Sequence, residues 1–252
     1  MRTGPERDPS IQVERQDARD GQGWSLMRNR QPLKTPGGER LWLPTAELAR
    51  AIAEELGLLR QQNPAADEKA PRKEPSTHPL AMPLTQLAYQ CIDQSIPERA
   101  TQNAALLAYL ETDLLCYPAT GPETLVAQQE QYWTPLRDWF EGYYGVELIV
   151  TVGLMPVAQQ PATLTSAHRV IAASDPWQVT GQLALAQACG SYILASAATL
   201  GRVDAEQLTA CAFLHEEQQL RDWGEDPQRR AELVARSTSI QDSLAWLRLL
   251  KS

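Results

Sequence analysis

Between Asp175 and Arg202 lie 26 consecutive residues without a formal charge, among them Leu183-Ala-Leu-Ala186 and Tyr192-Ile-Leu-Ala-Ser196. A run of this length either crosses a bilayer or is enclosed on most sides by other helices. Gln178, Gln182, Gln187, Ser191, Ser196 and Thr199 interrupt it, and no Lys or Arg cluster flanks it. The membrane reading therefore lacks its interfacial anchors, and no stable membrane insertion is expected. The stretch is expected to form a buried central helix over 176–200.

The remaining composition agrees with a folded chain. At 252 residues it is long enough for one large domain or two small ones, and 43% apolar with 21% charged residues lies near the globular norm. The net charge is −8; residues 1–40 carry +2 and residues 41–252 carry −10. An acidic body does not release counterions from phosphate backbones, so no nucleic-acid partner is expected, nor attraction to anionic lipid. Cys91, Cys116, Cys189 and Cys211 stand 25, 73 and 22 positions apart, with no CxxC or CxxH spacing. They read as small buried hydrophobes in a reducing compartment, not as zinc ligands or a redox pair. The segment Met1–Ser10 lacks the apolar stretch of a secretory signal and contains two acids, so the expected address is cytoplasmic.

The pattern predicts an α+β chain, with a small β-containing N-terminal domain followed by a mainly helical C-terminal one. Residues 1–10 are expected to be disordered. Ile11-Gln-Val13, Trp24-Ser-Leu-Met27 and Leu41-Trp-Leu43, with the turn signal Pro36-Gly37-Gly38, read as short strands of an antiparallel sheet. Leu48, Ile52, Leu56 and Leu59 recur at helical spacing behind a capping Thr45. Residues 60–79 form a polar, proline-rich connection without the apolar side chains to bury itself, so the first domain is drawn over 11–81 and the second over 82–252. In the second, helices are expected at 83–95, 97–117, 122–145, 163–173, 176–200, 204–223 and 228–250, with Pro135 bending or breaking the third near Thr134. Glu147–Val152 is β-branched and apolar, a strand expected to pair with the N-terminal sheet.

Standard catalytic signatures are missing. The chain has no Gly-x-Gly-x-x-Gly, no phosphate-cradling Gly-x-x-x-x-Gly-Lys and no Gly-x-Ser-x-Gly, and no cofactor is implied. His215-Glu216-Glu217-Gln218-Gln219 opens like a helical zinc site, but Gln219 stands where a second histidine is needed. Two acidic clusters remain: Glu111 with Asp113, and Glu216 with Glu217, followed by Asp222 and Trp223. Carboxylates adjacent or two apart on a helix diverge and do not face one substrate, so they are better candidates for binding charges. A small acid/base hydrolase using Glu111 and Asp113 is the enzymatic alternative, and a scaffold module for some other protein is a third reading. An exposed Trp beside such acids suits an anchor in a protein interface.

An ordered series of motifs adds to this. Lys34-Thr-Pro-Gly37, Leu43-Pro-Thr45 with Ala49-Arg-Ala-Ile52, Met82-Pro-Leu-Thr85 with Ile92-Asp93, and Tyr109-Leu-Glu-Thr-Asp-Leu-Leu-Cys-Tyr117 come first. Trp133-Thr-Pro-Leu136 with Asp138-Trp139, Gly153-Leu-Met-Pro-Val157 and Trp223-Gly-Glu-Asp226 follow. Together they resemble the assembly chaperones of the F1-ATPase α subunit, over about positions 11–250. The resemblance implies a non-enzymatic role: binding the unassembled ATP synthase F1 α subunit, preventing its aggregation and releasing it into the α/β hexamer. It implies a bacterial cytoplasm, or a mitochondrial matrix if the source is eukaryotic. It also places a functionally important acid at Glu216, with Glu217 beside it. The departures from the family pattern are His215 for an acid, Gln218 for an aromatic, Pro118 for a basic residue and Tyr89 for a small polar one.

Overall fold

The computed structural model describes residues 11–18, 21–62, 82–152 and 157–251, with the backbone alone described at 16–18, 21–22 and 58–62. The disordered start expected at 1–10 and most of the polar connection expected at 60–79 lie outside the described residues. The chain forms two compact units, residues 1–97 with 248–252, and residues 98–247.

In the first unit, strands β1 (Ile11–Ala18) and β2 (Gly21–Arg28) pair antiparallel from Ile11 opposite Arg28 to Ala18 opposite Gly21. Strand β3 (Gln31–Pro32) follows through Asn29-Arg30, both at positive φ (51° and 64°), which suits the right-handed twist of a tight hairpin. Strand β4 (Trp42–Leu43) pairs with β2 at Trp24 and Ser25, where a Cβ on Gly23 would lie only 1.9 Å from the Trp42 indole. A side chain at position 23 would displace that ring.

Helix α1 (Ala46–Gln62) presents Leu48, Ala49 and Ile52 to Leu26, Leu41 and Leu43 in a shared core. Helix α2 (Pro83–Gln90) lacks a side-chain cap of its own at Met82. Glu55 of α1 supplies one, accepting from the Leu84 N–H (3.1 Å), the Thr85 N–H (2.8 Å) and the Thr85 hydroxyl (2.7 Å). A carboxylate there also complements the helix dipole. A π-helical turn, Cys91–Ser95, then carries Asp93 to the Pro-Gly-Gly turn, where it accepts from Thr35 Oγ1 (2.5 Å) and the Gly37 N–H (2.9 Å). The segment 82–97 thus belongs to the first unit, beyond the boundary drawn at 81, because its polar ties are to Glu55, Thr35 and Gly37. Residues 248–251 join the same unit, with the Thr45 hydroxyl donating to the Leu249 carbonyl at 2.7 Å.

The second unit is helical. It comprises α3 (Arg99–Glu111), a 3-10 turn (Leu114–Cys116), α4 (Glu123–Tyr144), α5 (Pro161–Ala173), α6 (Pro176–Cys189), α7 (Tyr192–Thr199), α8 (Ala205–Ala212), α9 (Leu214–Trp223) and most of α10 (Pro227–Leu249). The uncharged run is buried as expected, but as two helices. Gly190 at φ 72° ends α6, and Ser191 caps α7 by accepting from the Leu194 N–H at 2.9 Å. Around it, α4 buries Trp133, Leu136, Phe140 and Tyr144, whose hydroxyl bonds Tyr192 (2.9 Å) and Ser196 (2.8 Å). Trp246 stacks on Trp177 with centroids 5.7 Å apart and donates to its carbonyl. Among the described residues no helix is long and apolar enough to cross a membrane. The four cysteines are buried thiols.

Three further expectations are corrected. Helix α4 runs unbroken through Pro135. Pro135 and Gln131, whose carbonyl loses its partner, are both on the exposed side, where water can bond that oxygen while the opposite side stays packed. The 204–223 helix is divided at Phe213. Glu147–Val152 is not a strand and pairs with no sheet among the described residues. The Gln159 amide substitutes for one ladder rung, accepting from the Ile149 N–H and donating to its carbonyl, both at 2.9 Å. Glu141 and the Cys116 carbonyl accept from the N–H groups of Leu148 and Thr151, so the segment needs no neighbouring strand.

Candidate partner-binding surface

Helix α9 begins with Leu214 against the core and turns Glu216, Glu217, Asp222 and Trp223 outward, while Leu220 packs inward. Trp223 is 80% exposed, the most exposed large apolar side chain among the described residues, and Gly224 ends the helix directly after it. An indole left in water at a helix end, next to the Asp222 carboxylate, is a candidate for contact with another protein.

The acids are not isolated. Arg236 of α10 donates from Nη1 to Glu216 Oε1 at 2.6 Å, and Arg230 donates from Nη1 to Glu217 Oε1 at 2.6 Å. Arg230 also grips Glu225 with two bonds, Nη2 to Oε1 (2.8 Å) and Nε to Oε2 (3.2 Å). This grip holds the Glu225 carboxyl below its ordinary range and raises the guanidinium pKa. Asp222 accepts from Gln218 Nε2 (2.7 Å), and Gln218 in turn accepts from Arg221 (2.8 Å), so Gln218 orients an acid where the resemblance led us to expect an aromatic.

His215 faces inward from the same helix. Gln129 accepts from the Ala119 N–H through Oε1, so its Nε2 donates to the His215 ring at 3.1 Å. The ring is therefore an acceptor and neutral, and burial lowers its pKa accordingly. It lies 5.6 Å from the Trp133 ring. Among the described residues, no group of three or more His, Cys, Asp or Glu side chains could hold a metal ion.

The other acidic pair is separated by burial. Glu111 is exposed at the end of α3, whereas Asp113 is fully enclosed. Asp113 accepts from the Leu115 N–H (3.0 Å), the Ser191 hydroxyl (2.7 Å) and the Ile193 N–H (2.9 Å), capping both the 3-10 turn and α7. Burial outweighs these bonds and pushes its pKa up from 3.8 to about 6. Asp113 is thus a structural cap, not a surface contact. Asp113 is enclosed while Glu111 faces solvent, so the two do not face one substrate as an acid/base pair would require.

Sequence reasoning located the acids but missed Arg230, Arg236 and Glu225. One signal was present: Arg229-Arg230 opens the last helix, where the dipole disfavours cations unless carboxylates await them.

Comparisons with known proteins agree with the fold and the motif series. The family model described as ATP12 chaperone protein matches residues 10–141. The crystal structure of Atp12 from Paracoccus denitrificans matches with a TM-score of 0.82 and 34% identity, covering 96% of each chain. That of a putative chaperone from Agrobacterium tumefaciens gives a TM-score of 0.77 and 28% identity, over 98% of this chain and 86% of that one. The mitochondrial protein atp12 of Schizosaccharomyces pombe is 25% identical over 199 residues, 74% of this chain and 66% of the relative, slightly under two thirds of its length. With more than half its length matched by the family model, and a solved relative followed almost end to end, the chain belongs to the ATP12 chaperone family.

Proposed function

We propose that the chain binds the unassembled α subunit of F1-ATPase, keeps it from aggregating and hands it on when the β subunit arrives. Membership of the ATP12 chaperone family carries this reading. Helix α9 supports it with a place for the contact: Glu216 and Glu217 in its first turn and the 80% exposed Trp223 at its end. An α subunit without its neighbour exposes apolar surface that association with β would bury, and such surface aggregates. A carrier must cover it yet leave, so moderate affinity serves better than maximal. Charged rim contacts set partner choice and encounter rate, while an aromatic anchor contributes burial.

In this reading the chain acts stoichiometrically and without chemistry of its own, in the bacterial cytoplasm or, in a eukaryotic source, the mitochondrial matrix. Light scattering of purified α subunit diluted from denaturant tests it. The wild-type chain suppresses scattering at about one equivalent, and Glu216→Lys loses that activity with unchanged circular dichroism. Full suppression by Glu216→Lys would refute the assignment of Glu216. Failure of the wild-type chain to retain the α subunit would refute the reading itself.

A further inference from the structure

We propose that Arg230 masks Glu217 in the free chain and is displaced from it by a basic side chain of the client, while Arg236 fixes Glu216 for direct contact. This rests on the client reading above and concerns how the same surface is held ready.

The two ion pairs look alike at their shortest contact but differ in what else holds each arginine. Arg236 is tied at three points: to Glu216 Oε1, to the Ala188 carbonyl through Nε at 3.0 Å, and over the Phe213 ring at 4.6 Å from Cζ. Moving it away would forfeit a backbone bond and a cation–π contact, so it stays and holds the Glu216 carboxylate in one orientation. Among the described residues the bonds of Arg230 go to carboxylates, one to Glu217 and two to Glu225. Releasing Glu217 leaves the two-point grip on Glu225 intact, so the exchange strands no buried charge. Glu217, Glu225 and Arg230 together carry one net negative charge, and a single incoming Lys or Arg balances it. The pair is partly exposed, at 38% and 39% of the side chains, so the cost of parting it is small. Glu216 gives orientation and Glu217 gives an adjustable affinity, which suits a carrier that must let go.

The experiment measures the dissociation constant and its salt dependence for the full chain with unassembled F1 α subunit. Arg230→Gln is compared with Arg169→Gln, which removes the same charge from an exposed site on α5. Circular dichroism serves as the folding control. Arg230→Gln should bind about two- to fivefold more tightly at low salt, with the gain fading as salt rises, because an exposed pair of this kind contributes little. Arg169→Gln should match wild type. Arg236→Gln should bind more weakly, and Arg236→Lys should recover only part of the loss. Equal or weaker binding by Arg230→Gln, with Glu216→Lys still abolishing the complex, would overturn the mask and leave the client reading standing. Unimpaired binding by Glu216→Lys would instead remove the client reading.

Discussion

Replacing Asp113 by Asn gives a direct measure of what its burial does to the second unit. The carboxyl has an ordinary value of 3.8 and stands at about 6 in the fold, because burial penalises the ionised form more than its three donors favour it. Between those values the folded chain binds more protons than the unfolded chain, so stability falls as pH rises through the window. The whole difference corresponds to about 3 kcal/mol, and about 2 kcal/mol of it is expressed between about pH 4.5 and pH 7.5. Asn cannot ionise and lacks this dependence. It also turns an amide N–H₂ toward the Leu115, Ser191 or Ile193 donors, which costs about 1–3 kcal/mol at every pH. The variant should therefore be clearly less stable than wild type at the acidic end, and the gap should close by about 2 kcal/mol toward the neutral end. Urea unfolding followed by the fluorescence of the buried Trp133, Trp177 and Trp246, repeated across that pH range for both proteins, measures the gap. Parallel pH profiles would mean that the carboxylate is stabilised by its three donors as well as water stabilises it, and the reasoning would fail.

Two further outcomes follow from packing. A Cβ on Gly181 would lie 2.4 Å from Trp246 Cδ1, on a ring fixed by its bond to the Trp177 carbonyl. Gly181→Ala should therefore lower stability by about 1–2 kcal/mol: overpacking costs up to about 3, against a helix-propensity gain of about 1. An unchanged or raised melting temperature would contradict this. Burial pushes the thiols of Cys116 and Cys189 up to about 12 and that of Cys211 up to about 11, so almost no thiolate exists at neutral pH. Alkylation by iodoacetamide should thus track global unfolding in urea; fast labelling of the native chain would show that these sites open locally.

Local signals revealed the antiparallel N-terminal strands, the capped first helix and the buried uncharged run, because each is written in adjacent residues, whereas the extension of the first two strands through residues 14–18 and 21–23 was not visible there. Gly190-Ser191 did spell a helix end followed by a cap, yet the unbroken apolarity around it concealed the division into α6 and α7. The break at Phe213 has no Gly or Pro to announce it. Glu147–Val152 had the composition of a strand, but a strand is defined by its neighbours, and here a Gln side chain took their place. The surface was legible in the same partial way. The acids of α9 stood out in sequence, while their partners lie 13 and 20 residues further on, a spacing that only the fold of α10 beside α9 makes meaningful.

Residues 248–251 belong to the unit otherwise made of the first 97 residues, and the Leu249 carbonyl meets the Thr45 hydroxyl there. Translation delivers those residues after the entire helical unit. The unit begun before the helical one is therefore completed after it, and a nascent chain that has emerged only as far as Leu247 lacks the piece that meets Thr45. A chain interrupted after Leu247 would keep the helical unit whole and leave the other unit unfinished.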